Sequence, residues 1–256
     1  MAGLSTVNKW PILLRVNDSQ MRTGVAEVGH THADVSGGAL RASVFGGMDG
    51  LVTNIALVAG VGAAGASASF IVLTGVAGLV AGAFSMAMGE YTSVKTQNEQ
   101  LDREWVKERE EIDRHPAEEE RELASMFTSM GMSKATALAA ARDVHSDAEH
   151  AALVHVTQEL GLDPRDKPSP TVAAVSSFVT FSTGALVPLI PYLLGFASLV
   201  AGLAVGGLGL LVAGALASLT TVMPWWLSAL RQLGFGALAA GATYLVGLAM
   251  GISVVG

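Results

Sequence analysis

The chain has no cysteine among its 256 residues. Disulfides, thiolate zinc sites and thiol nucleophiles are therefore excluded. Charge is scarce as well: Asp, Glu, Lys and Arg make up 14% of the chain, against about 25% in a soluble domain. No Asp, Glu, Lys, Arg or His occurs over residues 50–89, 171–230 or 232–256. A helix needs about 20 apolar residues to cross a bilayer. The three uncharged runs accommodate two, two and one such crossings. A Gly-rich phosphate loop with its Lys, a nucleophile elbow and an HExxH pair are all missing from the sequence. That argues against ATP drive, Ser hydrolysis and zincin chemistry.

What is present is an all-α pattern. Spans are expected over residues 42–62, 70–89, 171–190, 195–220 and 233–254. Gly60 to Ser67 reads as a short turn of small residues. Pro188 and Pro191 mark the end of the third span. Pro224-Trp225-Trp226 reads as an interfacial stop before the fifth. The domains are then a flexible tail over 1–40, spans one and two over 41–89, a Glu-rich helical domain over 90–169, and spans three to five over 170–256. The tail holds no apolar run of signal-peptide length.

Five spans leave the tail, the charged middle and the loop near Arg231 on one side. All 15 Lys and Arg fall there. The positive-inside rule then makes the N-terminus and the middle cytoplasmic and leaves the C-terminus outside. The Ala/Gly-rich composition fits a bacterial cell membrane, with a vacuolar membrane the reading for a eukaryotic source. The net charge of −7 sits mostly in residues 90–166, which argues against nucleic acid as a partner.

Small residues recur at spacing four: Gly46/Gly50, Gly78/Gly82, Gly202/Gly206 and Gly247/Gly251. Such pairs let helices approach closely in lipid. They are either generic packing or a dimer face.

The charged middle reads as three helices. Residues 90–114 carry no helix breaker and prolong the second span by roughly 35 Å. His115-Pro116 ends that helix. A short second helix follows over 117–130, and a third runs from Ser133 to about Gly161. Glu104, Glu108 and Glu111 share a face of the first, and Glu119 and Glu122 are three apart on the second. His145/Glu149 and His155/Glu159 are each four apart on the third. These spacings point side chains the same way. Converged, the faces make an oxygen-rich site with some imidazole, suited to Fe(II), Mn(II), Co(II) or Zn(II). Kept apart, they are three solvated amphipathic helices.

Asp49 lies inside the first span. A carboxylate there costs about 2.5–3.5 kcal/mol or more unless it is paired, protonated or wet. It is either a capped turn near the interface or a cation or proton site. Met86 lies in the second span at a depth roughly 8 Å from that of Asp49 in a helical hairpin. A thioether there is packing or a soft ligand that favours transition metals. Glu90 ends the second span.

Asp49-Gly50-Leu51, Ser85-Met86-Ala87-Met88-Gly89-Glu90-Tyr91, the Glu-rich stretch from Glu108 to Glu122, and Leu186-Val187-Pro188-Leu189-Ile190-Pro191-Tyr192 together resemble the vacuolar iron transporter family. That family includes the yeast vacuolar iron/manganese carriers and the plant nodulin-21-like proteins. The resemblance covers about residues 30–256. It implies five spans and a homodimer with the path at its interface. It also implies Fe(II), or Mn(II), carried from the cytosol in exchange for protons, with no prosthetic group. It places Asp49 and Met86 on the path, and Glu90, the nearest carboxylate of the second span, is counted as a path residue with them. It matches Glu108, Glu111, Glu119, Glu122 and Glu159 to the family's metal-binding glutamates. Two departures stand out. His155 occupies the place of a methionine in plant-type members, which makes it a candidate ligand. Gly78 stands where some members have a carboxylate. A membrane-anchored carboxylate di-iron oxidase and a metal sensor are the competing readings. The oxidase lacks its repeated Glu-x-x-His.

Overall fold

The computed structural model describes residues 38–255, and all regular elements there are helical. The tail expected over residues 1–40 lies outside the described residues up to 37. Five helical stretches are long and apolar enough to cross a membrane: Ala39–Ala63, Ala68–Arg114, Pro170–Leu193, Leu199–Ala217 and Trp225–Gly251. Their number and order match the expectation.

Helix α1 (Gly38–Ala63) turns at Gly65, whose φ of +83° suits glycine, into α2 (Ala68–Arg114). The Ser67 hydroxyl caps α2 by accepting from the Phe70 N–H at 3.3 Å. With 47 residues, α2 is about 70 Å long. It passes without a break from the apolar span into the charged segment, as its sequence predicts. Pro116 then occupies the first turn of α3 (Pro116–Ser129), where its missing N–H costs nothing.

Two shorter helices follow, α4 (Lys134–Val144) and α5 (Ala148–Leu160). The single helix expected from Ser133 to Gly161 is therefore broken. Asp147 is the reason. Its Oδ1 accepts from the backbone N–H groups of Glu149 at 2.8 Å and His150 at 3.1 Å. That starts a new helix. Ser146 donates back to the Asp143 carbonyl at 2.7 Å, which competes with the helix ladder. His145 and Glu149 consequently do not share a helix face.

Leu123, Ala124 and Phe127 of α3 pack on Ala137 and Ala141 of α4. Ile112 of α2, with Trp105 against it, packs on Ala151 and Ala152 of α5. A return segment ties back to α2, where the Asn98 amide donates to the Pro168 carbonyl at 3.0 Å and Lys167 pairs with Asp102.

Helix α6 (Pro170–Leu186) passes through a 3-10 turn, Val187–Leu189, into the short α7 (Ile190–Leu193). Pro188 lacks the donor for an α-type bond, so the chain bends there and the apolar stretch continues to Leu193 instead of ending near Ile190. Helix α8 (Leu199–Ala217) and a 3-10 turn, Ser218–Thr220, lead to α9 (Trp225–Val255). Helix α9 starts eight residues before the expected boundary. Trp225, Trp226 and Arg231 are helical, and the Pro224 carbonyl accepts from the N–H groups of Leu227 and Ser228. Arg231 is thus not in a loop.

Helix α1 is the centre of the membrane bundle and packs on α6, α9, α8 and α2. Glycine makes this possible. A Cβ on Gly50 would collide with the Phe181 carbonyl, one on Gly184 with the Gly47 carbonyl, and one on Gly247 with the Gly60 carbonyl. Gly82 faces Phe181, and Gly206 faces Ile55. The spaced glycine pairs are therefore used inside one chain.

Candidate metal centre

Four helical segments bring one cluster together. His155 on α5 is fully buried. Its Nδ1 stands 3.0 Å from Glu108 Oε1 on α2, 3.8 Å from Glu119 Oε2 on α3 and 3.9 Å from Glu159 Oε1 on α5. Its Nε2 lies 3.0 Å from Nε2 of His145, at the end of α4. The two rings meet edge to face.

Nδ1 of His155 and Oε1 of Glu108 are both buried and lie 3.0 Å apart. Between a ring nitrogen and a carboxylate oxygen this close, a proton or a cation must lie, because two facing lone pairs repel. Ligand atoms of Glu108, His155 and Glu159 all lie within 4.8 Å of one another. One ion with bonds of about 2.1 Å sets neighbouring ligand atoms about 3.0–3.5 Å apart. The separations of 3.0, 3.8 and 3.9 Å from His155 Nδ1 approach that spacing, so the carboxylates would draw inward to close on a divalent cation, and the O/N donors suit first-row transition metals.

Electrostatics agree with that geometry. Glu119 and Glu159 are both held above the usual carboxylate range, first by burial and then by the charges of Glu108 and Glu122. Glu111 adds to the effect on Glu119. Like charges crowded without a counter-ion raise one another's proton affinity. Burial disfavours the imidazolium of His155, but Glu108, Glu119 and Glu159 outweigh it and its pKa is raised. Burial and His155 push that of His145 down.

The predicted residues therefore divide. Glu108, Glu119, His155 and Glu159 meet directly. Glu111 and Glu122 act on them through charge. Glu104 stands apart from this group and pairs with Lys107 at 3.7 Å. The sequence placed His145 with Glu149, and the fold places it with His155 instead. Its signal was available only in hindsight of the helix break at Ser146-Asp147.

In the apolar bundle, Asp49 is on the exposed side of α1, one turn from the exposed Phe45. Met86 packs against the Ala83–Phe181–Ala185 cluster beside Phe178. Glu90 pairs with Arg41 at 3.2 Å. Asn54 is a residue the sequence reading missed. It is fully buried, and its amide donates to the carbonyls of Gly75 on α2 at 3.2 Å and Ala185 on α6 at 2.5 Å. The only sequence signal was an amide within an uncharged run.

The model of the VIT family matches residues 40–248. A vacuolar iron transporter from Centaurea cyanus is 31% identical over 227 residues, 86% of this chain and 90% of that protein. Vacuolar iron transporter 1 of Arabidopsis thaliana is 31% identical over 169 residues, 64% of this chain and 66% of that protein. One from Toxoplasma gondii is 34% identical over 161 residues, 62% of this chain. The matched region spans 53% of the Toxoplasma relative and 59% of an Acanthamoeba castellanii one. With the family model matching most of its length, this chain belongs to the VIT family.

Proposed function

We propose that the chain is a homodimeric carrier that moves divalent transition metal, Fe(II) and also Mn(II), out of the cytosol in exchange for protons. The observation that carries this reading is the meeting of Glu108, Glu119 and the exposed Glu159 around the buried His155. The name of the relatives, vacuolar iron transporter, supports iron as cargo. The helical domain, with Glu111 and Glu122 supplying further charge, collects the ion on the cytosolic side. No prosthetic group is needed.

Asp49 supplies the exchange. A carboxylate can hold a cation or a proton, and the two compete for it. Facing bare lipid, it would cost about 2.5–3.5 kcal/mol or more. A second copy covering the exposed side of α1 removes that cost and puts Asp49 beside an interfacial path. Met86, packed against the Ala83–Phe181–Ala185 cluster of the same bundle, favours softer ions than magnesium or calcium.

The test is Fe(II) uptake into sealed proteoliposomes with and without an acidic lumen. Faster uptake with the acidic lumen is expected. Uptake indifferent to the gradient would remove the proton coupling, and no uptake under any gradient would remove the transport reading.

A further inference from the structure

His145 has no place in the function proposed above, yet it makes the closest approach to the other edge of the His155 ring. We propose that His145 is a positioning residue: it accepts a hydrogen bond from Nε2–H of His155 and so keeps Nδ1 of His155 free to bind metal. This rests on reading the carboxylate cluster as a metal site.

The argument is one of proton count. Two imidazole nitrogens 3.0 Å apart share one proton between them. If His145 gives that proton, Nε2 of His155 is the acceptor. The neutral His155 ring must then carry its own proton on Nδ1, which faces Glu108 at 3.0 Å. Nδ1–H is a donor and cannot bind a cation. If His145 accepts instead, the proton of His155 is on Nε2 and the Nδ1 lone pair points at Glu108, Glu119 and Glu159. Only this second arrangement makes a ligand. A cation held together with Glu108, Glu119 and Glu159 needs that lone pair, so the metal-bound state requires the second arrangement.

The fold holds His145 to this task. It is the last residue of the α4 cap, fixed by its own N–H bonding the Ala141 carbonyl at 2.9 Å. The helix break at Ser146-Asp147 turns the chain so that α5 returns His155 beside it. An unbroken helix would separate residues 145 and 155 by about 15 Å. The break that the sequence conceals is therefore what pairs the rings. Metal-bound imidazoles generally donate their second N–H to a neighbouring acceptor, and losing that acceptor weakens binding about 10- to 100-fold. Here the acceptor is a second imidazole, so the oxygen-rich site acquires one oriented nitrogen ligand. Nitrogen favours the later first-row metals, which makes His145 a determinant of metal preference as well as affinity.

The test uses the full-length protein in detergent with Mn(II) as the probe. Pulsed electron paramagnetic resonance reads directly whether an imidazole nitrogen is bound, and titration reads the Kd. Wild type should show nitrogen coupling, and His155→Leu should lose it. His145→Phe keeps the ring volume but cannot accept; it should weaken Mn(II) binding about 10- to 100-fold and lose most of the coupling. His145→Gln can accept through its amide oxygen and should restore both. Metal-free melting temperatures monitor folding of each variant. Wild-type coupling and Kd in His145→Phe, or a His145→Gln that behaves like His145→Phe, overturns the assignment. Bound Mn(II) without nitrogen coupling in wild type overturns this inference alone. No Mn(II) binding by wild type overturns the metal site itself.

Discussion

Nη2 of Arg41 on α1 stands 3.2 Å from Oε2 of Glu90 on α2, where α2 leaves the apolar bundle. Glu90 is the less exposed partner, with 15% of its side chain accessible against 57% for Arg41. The pair gives Glu90 a fixed counter-charge, which lowers its appeal to a passing cation. We expect Glu90→Gln and Arg41→Ala each to cost no more than about 1 kcal/mol of stability, since part-exposed ion pairs contribute little. Both should retain metal transport in proteoliposomes within a few-fold. A Glu90→Gln variant that is transport-dead would put Glu90 on the path.

Asp49 is expected to behave differently. It is on the exposed side of α1 within an apolar stretch, and Asp49→Asn keeps its shape while removing its charge. Coupled Fe(II) transport should be abolished, while Mn(II) titration of the purified chain should still detect the carboxylate cluster. Wild-type transport with unchanged pH dependence in Asp49→Asn would end the exchange mechanism.

The helical domain should respond to pH in opposite directions with and without metal. Glu119 and Glu159 are raised above the ordinary carboxylate value, and His155 is raised above the ordinary imidazole value. Each group therefore binds its proton more tightly when folded. Stability from each is present below its unfolded pKa and is lost as pH rises through the folded one. In chelator, the melting temperature of the domain should fall as pH is raised from just above 4.5 through the raised His155 range. His145, Asp147 and Asp163 are lowered and act the other way, losing their contribution as pH falls. With Mn(II) the trend should reverse, because the ion binds only deprotonated ligands. Thermal melts in chelator and in Mn(II) across this range decide it; parallel curves would contradict a shared proton and metal site.

Glycine substitutions should separate packing from mere composition. At Gly50 a Cβ meets the Phe181 carbonyl and backbone of Ala185, whereas at Gly89 it meets nothing within 4 Å. Gly50→Ala should cost about 1–3 kcal/mol or more by forcing α1 and α6 apart. Gly89→Ala, in the interior of α2, should be neutral or gain about 0.4–1 kcal/mol. Detergent melting temperatures of the two variants give the comparison. Equal melting temperatures would mean α1 and α6 can separate freely.

Sequence alone determined the five apolar helices, because charge is excluded from a span by its hydration energy and the uncharged runs are long and contiguous. It also determined the unbroken passage of α2 into the charged domain, since nothing between residues 90 and 114 interrupts a helix. Helical spacing put Glu108 beside Glu111, and Glu119 beside Glu122. Which of these carboxylates meet was decided by the tertiary structure, because spacing fixes faces within one helix and says nothing about the angle between two. The same limit explains the glycine pairs: their spacing signals close approach, but only the packing of α1 on α6 and α9 shows that the surface they approach is their own chain. His145 illustrates the deepest gap. Its distance from His155 depends on a new helix started by one capping side chain, Asp147. A local hydrogen bond that competes with the helix ladder by about 1 kcal/mol decided a contact between residues ten apart, and that balance is settled by the packing of α5 on α2.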